Sequence, residues 1–169
     1  MSKNLVIYSS RDGENYVNGS VRSLPVGNCD LTAQFIQEAT GADLFRIETV
    51  EEYPEDYYQT IEIAQKELRE KARPALKKEL DNIDDYEDIY VVGPCWWGTY
   101  PMAMFTQLEK LDFSGKKVHG LMSHEGSGLG SSQNDLKKIA KGAEFSRPLA
   151  VHGADTRASK EKIQEWARQ

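Results

Sequence analysis

Short apolar runs alternate along the chain with longer stretches of helical period. Leu5-Val6-Ile7-Tyr8 is continuous and apolar, the pattern of a central parallel strand covered on both faces. Asp30 is placed to cap a helix whose apolar positions, Leu31, Phe35, Ile36 and Ala39, recur at helical spacing before Gly41 closes it. Asp43 to Glu48 reads as a second strand. From Glu55 the period is helical again: Tyr57, Ile61, Ala64, Leu68 and Ala72 form one stripe, ended by Pro74. Ile89-Tyr90-Val91-Val92 is a third buried strand, stopped by Gly93-Pro94. Pro101 suits the first turn of a helix that carries Met104, Phe105, Leu108 and Leu111. Lys117 to Met122 gives a fourth strand, and Leu136 to Ala140 sits in a helix. Pro148 to His152 forms a weaker fifth strand, and Lys160 to Ala167 a closing helix.

Strands and helices in this alternation, joined by right-handed crossovers, predict an α/β fold. Its centre is a doubly wound, five-stranded parallel sheet with helices on both faces. At 169 residues a single domain spanning 1–169 is the expectation. Residues 12–27 are irregular: they separate the first strand from its helix, where about two to six residues usually suffice. They read as an insertion, and Tyr16-Val17-Asn18-Gly19-Ser20-Val21 carries the Asn-Gly signature of a two-residue hairpin turn.

Composition narrows the class. A hydrophobic fraction of 39% with three Trp excludes a disordered chain, and no apolar run approaches the roughly 20 residues of a membrane span. The balance of 21 basic against 27 acidic side chains, net −6, argues against nucleic acid, which needs a clustered positive face. Two cysteines make neither a disulfide framework nor a four-ligand zinc site, and no two His share metal-ligand spacing, so no metal is expected. No basic segment followed by an apolar stretch and a cleavage site opens the chain, so a cytoplasmic location is the expectation.

Ligands of open parallel sheets bind beyond the carboxyl ends of the strands, where the strand order reverses. Three loops leave such ends. After strand one come Ser9-Ser10-Arg11 and, past the insertion, Gly27-Asn28-Cys29 at a helix start; hydroxyls, an amide and free N–H groups there suit a phosphate, or simply cap the helix. Neither a P-loop nor a Rossmann glycine fingerprint is present. After strand three comes Gly93-Pro94-Cys95-Trp96-Trp97-Gly98-Thr99-Tyr100-Pro101, a shaped loop whose adjacent tryptophans point opposite ways, one to the core and one to a planar ligand. After strand four comes Ser123-His124-Glu125-Gly126-Ser127-Gly128-Leu129-Gly130-Ser131, whose glycines permit close backbone approach or mere flexibility.

These three loops together resemble flavodoxins, and the likeness runs over essentially the whole chain. Trp-Trp-Gly at 96–98 and the His-x-Gly-Ser-Gly-x-Gly element at 124–130 are its specific features, and they look like a bacterial subfamily with a paired-tryptophan loop. The resemblance implies a strand order of 2-1-3-4-5 and a noncovalently bound FMN. It implies phosphate contacts from Ser10, Arg11, Asn28 and Cys29, with Trp97 stacking on the isoalloxazine and the Gly98 carbonyl accepting from flavin N5–H. Pro94, Cys95 and Trp96 would line the same side, while Ser123, His124, Gly126, Ser127 and Gly128 would wrap the other edge with backbone N–H groups.

The chain also departs from that pattern. The insertion interrupts the phosphate loop, and Cys29 stands where the family has Thr; a thiol donates poorly, so Arg11 or Arg22 is the candidate replacement. Residues 123–130 hold no Tyr or Trp, so one flavin face lacks its usual aromatic and Tyr16 is the residue available to cover it. His119 and His152 read as structural, and Cys95 as a small buried hydrophobe. The acidic cluster Asp81, Asp84, Asp85, Glu87 and Asp88 is a solvated face or a steering patch for a basic redox partner.

Two functions stay open, with the carrier favoured because no segment offers an evident nicotinamide-binding element. A carrier would cycle one electron at a time, docking a reductase and an acceptor weakly as a monomer or weak dimer. An NAD(P)H-dependent oxidoreductase of quinone-reductase type would use an exposed flavin face. A receiver-like signalling domain of the same fold is disfavoured, because Tyr8 to Ser10 and Val91 to Pro94 lack its acidic residues.

Overall fold

Residues 3–169 are described by the computed structural model of the protein. The apolar runs become strands because each is buried on both faces: Val6, Ile7, Ile89, Val91, Val92, Val118, Leu121 and Met122 are all fully covered. In chain order the elements are β1 (Asn4–Tyr8), β2 (Gly13–Val17), β3 (Ser20–Leu24), α1 (Asn28–Thr40), β4 (Asp43–Arg46), α2 (Tyr57–Glu70), β5 (Asp88–Pro94), α3 (Met102–Leu108), β6 (Lys117–His124), α4 (Ser132–Ile139), β7 (Glu144–Phe145), β8 (Leu149–His152) and α5 (Lys160–Ala167).

The main sheet runs β4-β1-β5-β6, every pairing parallel, with β7 and β8 both on the outer side of β6. Counted as the five expected strands, this is the order 2-1-3-4-5. The fifth position differs from expectation in being split. Glu144 and Phe145 pair with Lys117 and Val118, whereas Leu149–His152 pair with Leu121–His124. Pro148, expected to open the strand, lies in the gap, and it has no N–H to give to a ladder.

Side-chain alternation sorts the core into two layers. Leu5, Ile7, Ile89, Val91 and Val118 face Met104, Leu108 and Leu136 of α3 and α4. Val6, Tyr8, Tyr90, Val92 and Leu121 face Ala33, Ile36, Ile163 and Trp166 of α1 and α5. His119 belongs to this packing: its ring stacks on Tyr90 at 4.6 Å, and its nitrogens lie 2.7 Å from Asp88 Oδ1 and 2.7 Å from Ser146 Oγ. Tyr100 is 1% exposed, its hydroxyl 3.2 Å from both the Val91 and Leu121 carbonyls. That hydroxyl also accepts from Gln133 Nε2 at 3.1 Å, which ties β5 and β6 to α4.

Several helix ends differ from the periodicity reading: α3 stops at Leu108, before Leu111, and α4 at Ile139, one residue before Ala140. α1 starts at Asn28 instead of after Asp30, because the Asp30 carboxylate is taken by the Tyr8 hydroxyl and Arg46 at 3.1 and 3.2 Å. Ser10 Oγ supplies the cap from outside the helix, accepting the Asp30 N–H at 3.0 Å. α2 stops at Glu70, short of Pro74, since Lys71 turns left-handed at φ 52° and the Ala72 N–H bonds back to Glu67. Among the described residues no helix is long and apolar enough to cross a membrane.

The insertion forms its own antiparallel ribbon. Val17 pairs with Ser20 across Asn18 and Gly19, at φ 49° and 86°, the pair of positive angles a type I′ turn requires. Its two ends meet at Gly27, whose N–H donates to Asp12 Oδ1 at 2.9 Å. A Cβ on Gly27 would stand 2.3 Å from Ser10 Oγ and 2.5 Å from the Arg11 carbonyl. The ribbon is bound to α2 as well. Glu14 Oε1 accepts the Tyr57 N–H at 2.8 Å, and Arg11 donates to the carbonyls of Glu14, Pro54 and Glu55 at 2.8, 3.0 and 2.9 Å.

Gly27→Ala is expected to destabilise the fold by about 1–3 kcal/mol through that overlap, read as a lowered midpoint in urea unfolding. Tyr100→Phe strips the strand carbonyls and Gln133 of their partner and is expected to cost about 1–2 kcal/mol in the same measurement.

Candidate functional site

At the carboxyl end of the sheet the chain leaves β1, β5 and β6 around a cavity of about 300 Å³. Ser10, Arg11, Asn28 and Cys29 line it from the β1 loop and the first turn of α1. Pro94, Cys95, Trp96 and Trp97 line it beyond β5, and Ser123, His124 and Glu125 beyond β6. Gly153 lies beyond β8, Asn15 and Tyr16 come from the ribbon, and Tyr57, Thr60, Ile61 and Ala64 form a wall from α2. Ten of the fourteen residues singled out in the sequence therefore share one cavity; Gly98, Gly126, Ser127 and Gly128 do not line it.

In the corner between β1 and α1, the helix N-terminus presents its first N–H groups. Arg11 borders this corner, but its donors are bound to the Glu14, Pro54 and Glu55 carbonyls, and burial works against its charge. Arg22 is exposed on β3, where its Nε–H donates to Ser20 Oγ at 3.4 Å, and it does not line the cavity. The cation that organises the corner is Arg46, unnoticed in the sequence: it touches Asp30 at 3.2 Å, the Ser10 carbonyl at 3.3 Å and Asp12 at 3.5 Å. Cys29 is 2% exposed and its thiol interacts with Ser123; burial pushes its pKa up to about 12, so it is an inert thiol.

The paired tryptophans have separate tasks. Trp96 is edge-on to Tyr53 at 5.1 Å and 88°, and its N–H donates to the Thr99 carbonyl at 2.8 Å across a tight turn. Trp97 and Gly98 make that turn at φ 57° and 88°. A left-handed tryptophan costs about 1 kcal/mol, and strain of this kind concentrates at functional sites. Trp97 is held there by its indole Nε1–H, which donates to the Ile61 carbonyl at 2.8 Å, and it stands on the rim 48% exposed. The Gly98 carbonyl, expected to face the cofactor, instead accepts from Ser131 N–H at 2.7 Å and Ser131 Oγ at 3.2 Å. The single hydroxyl hydrogen of Ser131 is shared between that carbonyl and Asp135 Oδ2, also at 3.2 Å, so the backbone N–H is the contact that holds the Gly98 oxygen.

The glycine loop folds away from the cavity after Glu125. The Gly126 N–H donates to His124 Nδ1 at 2.9 Å, and Ser127 Oγ to Cys95 Sγ at 3.1 Å. Gly130 explains the loop's composition: a Cβ there would lie 2.1 Å from the Gly98 carbonyl oxygen. The loop's close approach is thus to the Trp97-Gly98 turn.

Several cavity residues escaped the sequence reading. Tyr57, Ile61 and Ala64 belong to a stripe that reads as core, yet it faces the cavity; Thr60 in the same stretch was the available signal. Tyr16 does reach the site, its ring stacked on Tyr57 with centroids 6.0 Å apart. Burial raises Tyr57 above the usual phenol range, and burial with the neighbouring His152 lowers His124. His152, read as structural, lies 2.6 Å from Glu125 Oε2 and 3.4 Å from Asp155. The acidic cluster ends at Asp88, the first residue of β5, whereas the cavity lies past Pro94 at its last. At about 3.3 Å per strand residue that is roughly 20 Å, so the cluster does not border the site.

A sequence model of the family described as Flavodoxin matches residues 24–169, leaving most of the ribbon outside the match. No curated protein matches the chain in sequence. Among solved structures, a flavoprotein candidate from Bacteroides uniformis is similar with 23% identity and a TM-score of 0.76, covering 99% of both chains. A flavoprotein from Lactobacillus acidophilus, solved in complex with FMN, is 17% identical with a TM-score of 0.64, covering 94% of this chain and 98% of its own. Flavodoxin 2 from Bacillus cereus is 18% identical with a TM-score of 0.58, covering 99% of this chain and 96% of its own. By the family match over residues 24–169, on the sheet and cavity described above, the chain belongs to the flavodoxin family.

Proposed function

We propose that the protein binds FMN noncovalently in this cavity and carries electrons, one at a time, between protein partners that dock weakly at its rim. Family membership and the FMN complex of the Lactobacillus acidophilus relative support the cofactor. The donor set fits it. A phosphate needs hydrogen-bond donors more than a formal cation, and the N–H groups opening α1 with the Ser10 hydroxyl offer them. The Asn28 side chain borders the same corner. A flat heteroaromatic ring needs apolar walls, which Trp96, Trp97, Pro94 and Ile61 provide. FMN supplies the capacity to accept and release electrons; the protein supplies orientation, shielding and electrostatics.

The observation that favours a carrier over an NAD(P)H-dependent reductase is the ribbon. A nicotinamide delivers hydride by stacking on an open flavin face, and the Tyr16-Tyr57 pair from β2 and α2 stands over the cavity. At the rim Trp97 is half exposed, and its ring edge is the surface a partner protein would meet. A docking partner approaching that rim completes the reading.

FMN titrated into the protein is expected to bind at micromolar or lower concentration, measured by flavin fluorescence, and Trp97→Ala to weaken binding about tenfold. No binding by the wild-type chain would overturn the cofactor reading. Under stepwise anaerobic reduction a long-wavelength absorbance band is expected to rise and then fall, with NAD(P)H alone bleaching the protein slowly. Rapid bleaching by NAD(P)H without that band would make the protein a reductase.

A further inference from the structure

Among the described residues one buried side-chain oxygen has no hydrogen-bond partner, and it is Oε1 of Glu125. It faces a niche in the cavity wall. A Cβ on Gly153 would lie 3.0 Å from this oxygen, 2.7 Å from Asn28 Nδ2 and 3.5 Å from Ser123 Oγ, so glycine keeps the niche open. The other oxygen, Oε2, is 2.6 Å from His152 Nε2. The carboxyl group therefore has one oxygen against the His152 ring nitrogen and one buried without a hydrogen-bond donor. An ionised carboxylate is poorly served at that oxygen, whose buried lone pairs have no donor facing them.

From these contacts we propose that Glu125, paired with His152, is the proton-holding group of the cofactor site. It gains a proton from solvent when an electron enters the cavity from an external one-electron donor protein, and returns it when the electron leaves. The step balances simply. The donor is oxidised by one electron, the site is reduced by one, and a solvent proton forms an O–H bond on Glu125 while no bond in the protein breaks. This rests on the FMN reading above.

Every element packed around the carboxyl group bears on it. His152 from β8 favours the ionised form, and the Asn18 N–H at the ribbon tip does the same. Burial opposes them as the largest effect, and Asp155, the far partner of His152, also raises Glu125. His124, with its ring centroid 5.8 Å from that of His152, is itself held towards neutrality by burial. Tyr57 faces Glu125 from α2, and its phenol, raised by burial, stays neutral. Arg11, the guanidinium that lines the cavity, is engaged by three carbonyls. The net result is a carboxyl group raised from its ordinary value, beside a cavity where negative charge will appear.

Added negative charge raises a neighbouring carboxyl further. At low pH Glu125 is protonated in both redox states and contributes nothing to the pH dependence. Between its values in the oxidised and reduced protein, each rise in pH withdraws the proton that reduction needs, and the midpoint potential falls. Above both values its contribution is constant.

The test measures the midpoint potential of the FMN-loaded protein across a pH series, in the wild type, Glu125→Gln and His152→Asn. Subtracting the Glu125→Gln profile removes the protonation of the flavin itself. The expected difference is a curve that falls through one pH window and is flat on either side. His152→Asn should move that window to higher pH without abolishing it, because it removes a neighbour that favours the carboxylate. As a second readout, reduction in weakly buffered indicator solution should take up fewer protons in Glu125→Gln than in the wild type. Parallel potential profiles and equal proton uptake would overturn the proposal and leave the FMN reading intact. Failure of the wild type to bind FMN would overturn both.

Discussion

The close approach of Gly27 to the turn after β1 is the contact on which the site depends. Because residue 27 has no side chain, its backbone lies against Ser10 and Arg11, and Ser10 can cap α1 from outside the helix. That single junction fixes three things. It aims the first N–H groups of α1 along the end of the sheet, and it closes the base of the ribbon through Asp12. It also leaves the Asp30 carboxylate free for Tyr8 and Arg46, which draws β4 to the same corner.

The sheet was legible because its signal is local and redundant: two continuous apolar runs and three mixed strand-like segments, alternating with helical stretches, admit few alternatives. The ribbon was legible for a different reason, since Asn18 and Gly19 tolerate positive φ where most residues do not. The helix ends were not, because the competition was decided by partners far along the chain. Asp30 looks like a cap until Arg46, sixteen positions away, claims it. Lys71 ends α2 before the proline that periodicity would blame.

For the site, the sequence identified the loops better than the atoms. Ser10, Asn28, Trp96, Trp97, Ser123 and His124 do line one cavity, because loop placement follows from strand order alone. Orientation does not. The glycines at 126 and 128 looked like ligand-binding backbone, but the loop packs on the Trp97-Gly98 turn, and Gly130 shows why small residues were needed. Glu125 sat unremarked inside a quoted motif, because nothing in a sequence says that one of its oxygens will be buried without a donor. The α2 wall was hidden by the ordinary rule that an apolar helical stripe packs into the core.

The Gly98 carbonyl, held by the Ser131 backbone N–H, has a mechanical consequence. A peptide anchored at its oxygen has no freedom to flip, and its neighbour Trp97 is pinned at the indole nitrogen as well. The wall nearest the rim is therefore held at two points, the Gly98 oxygen and the Trp97 indole nitrogen. In the carrier role proposed above, a wall held in this way makes each transfer a matter of distance to the partner: little of it has to rearrange before the electron leaves.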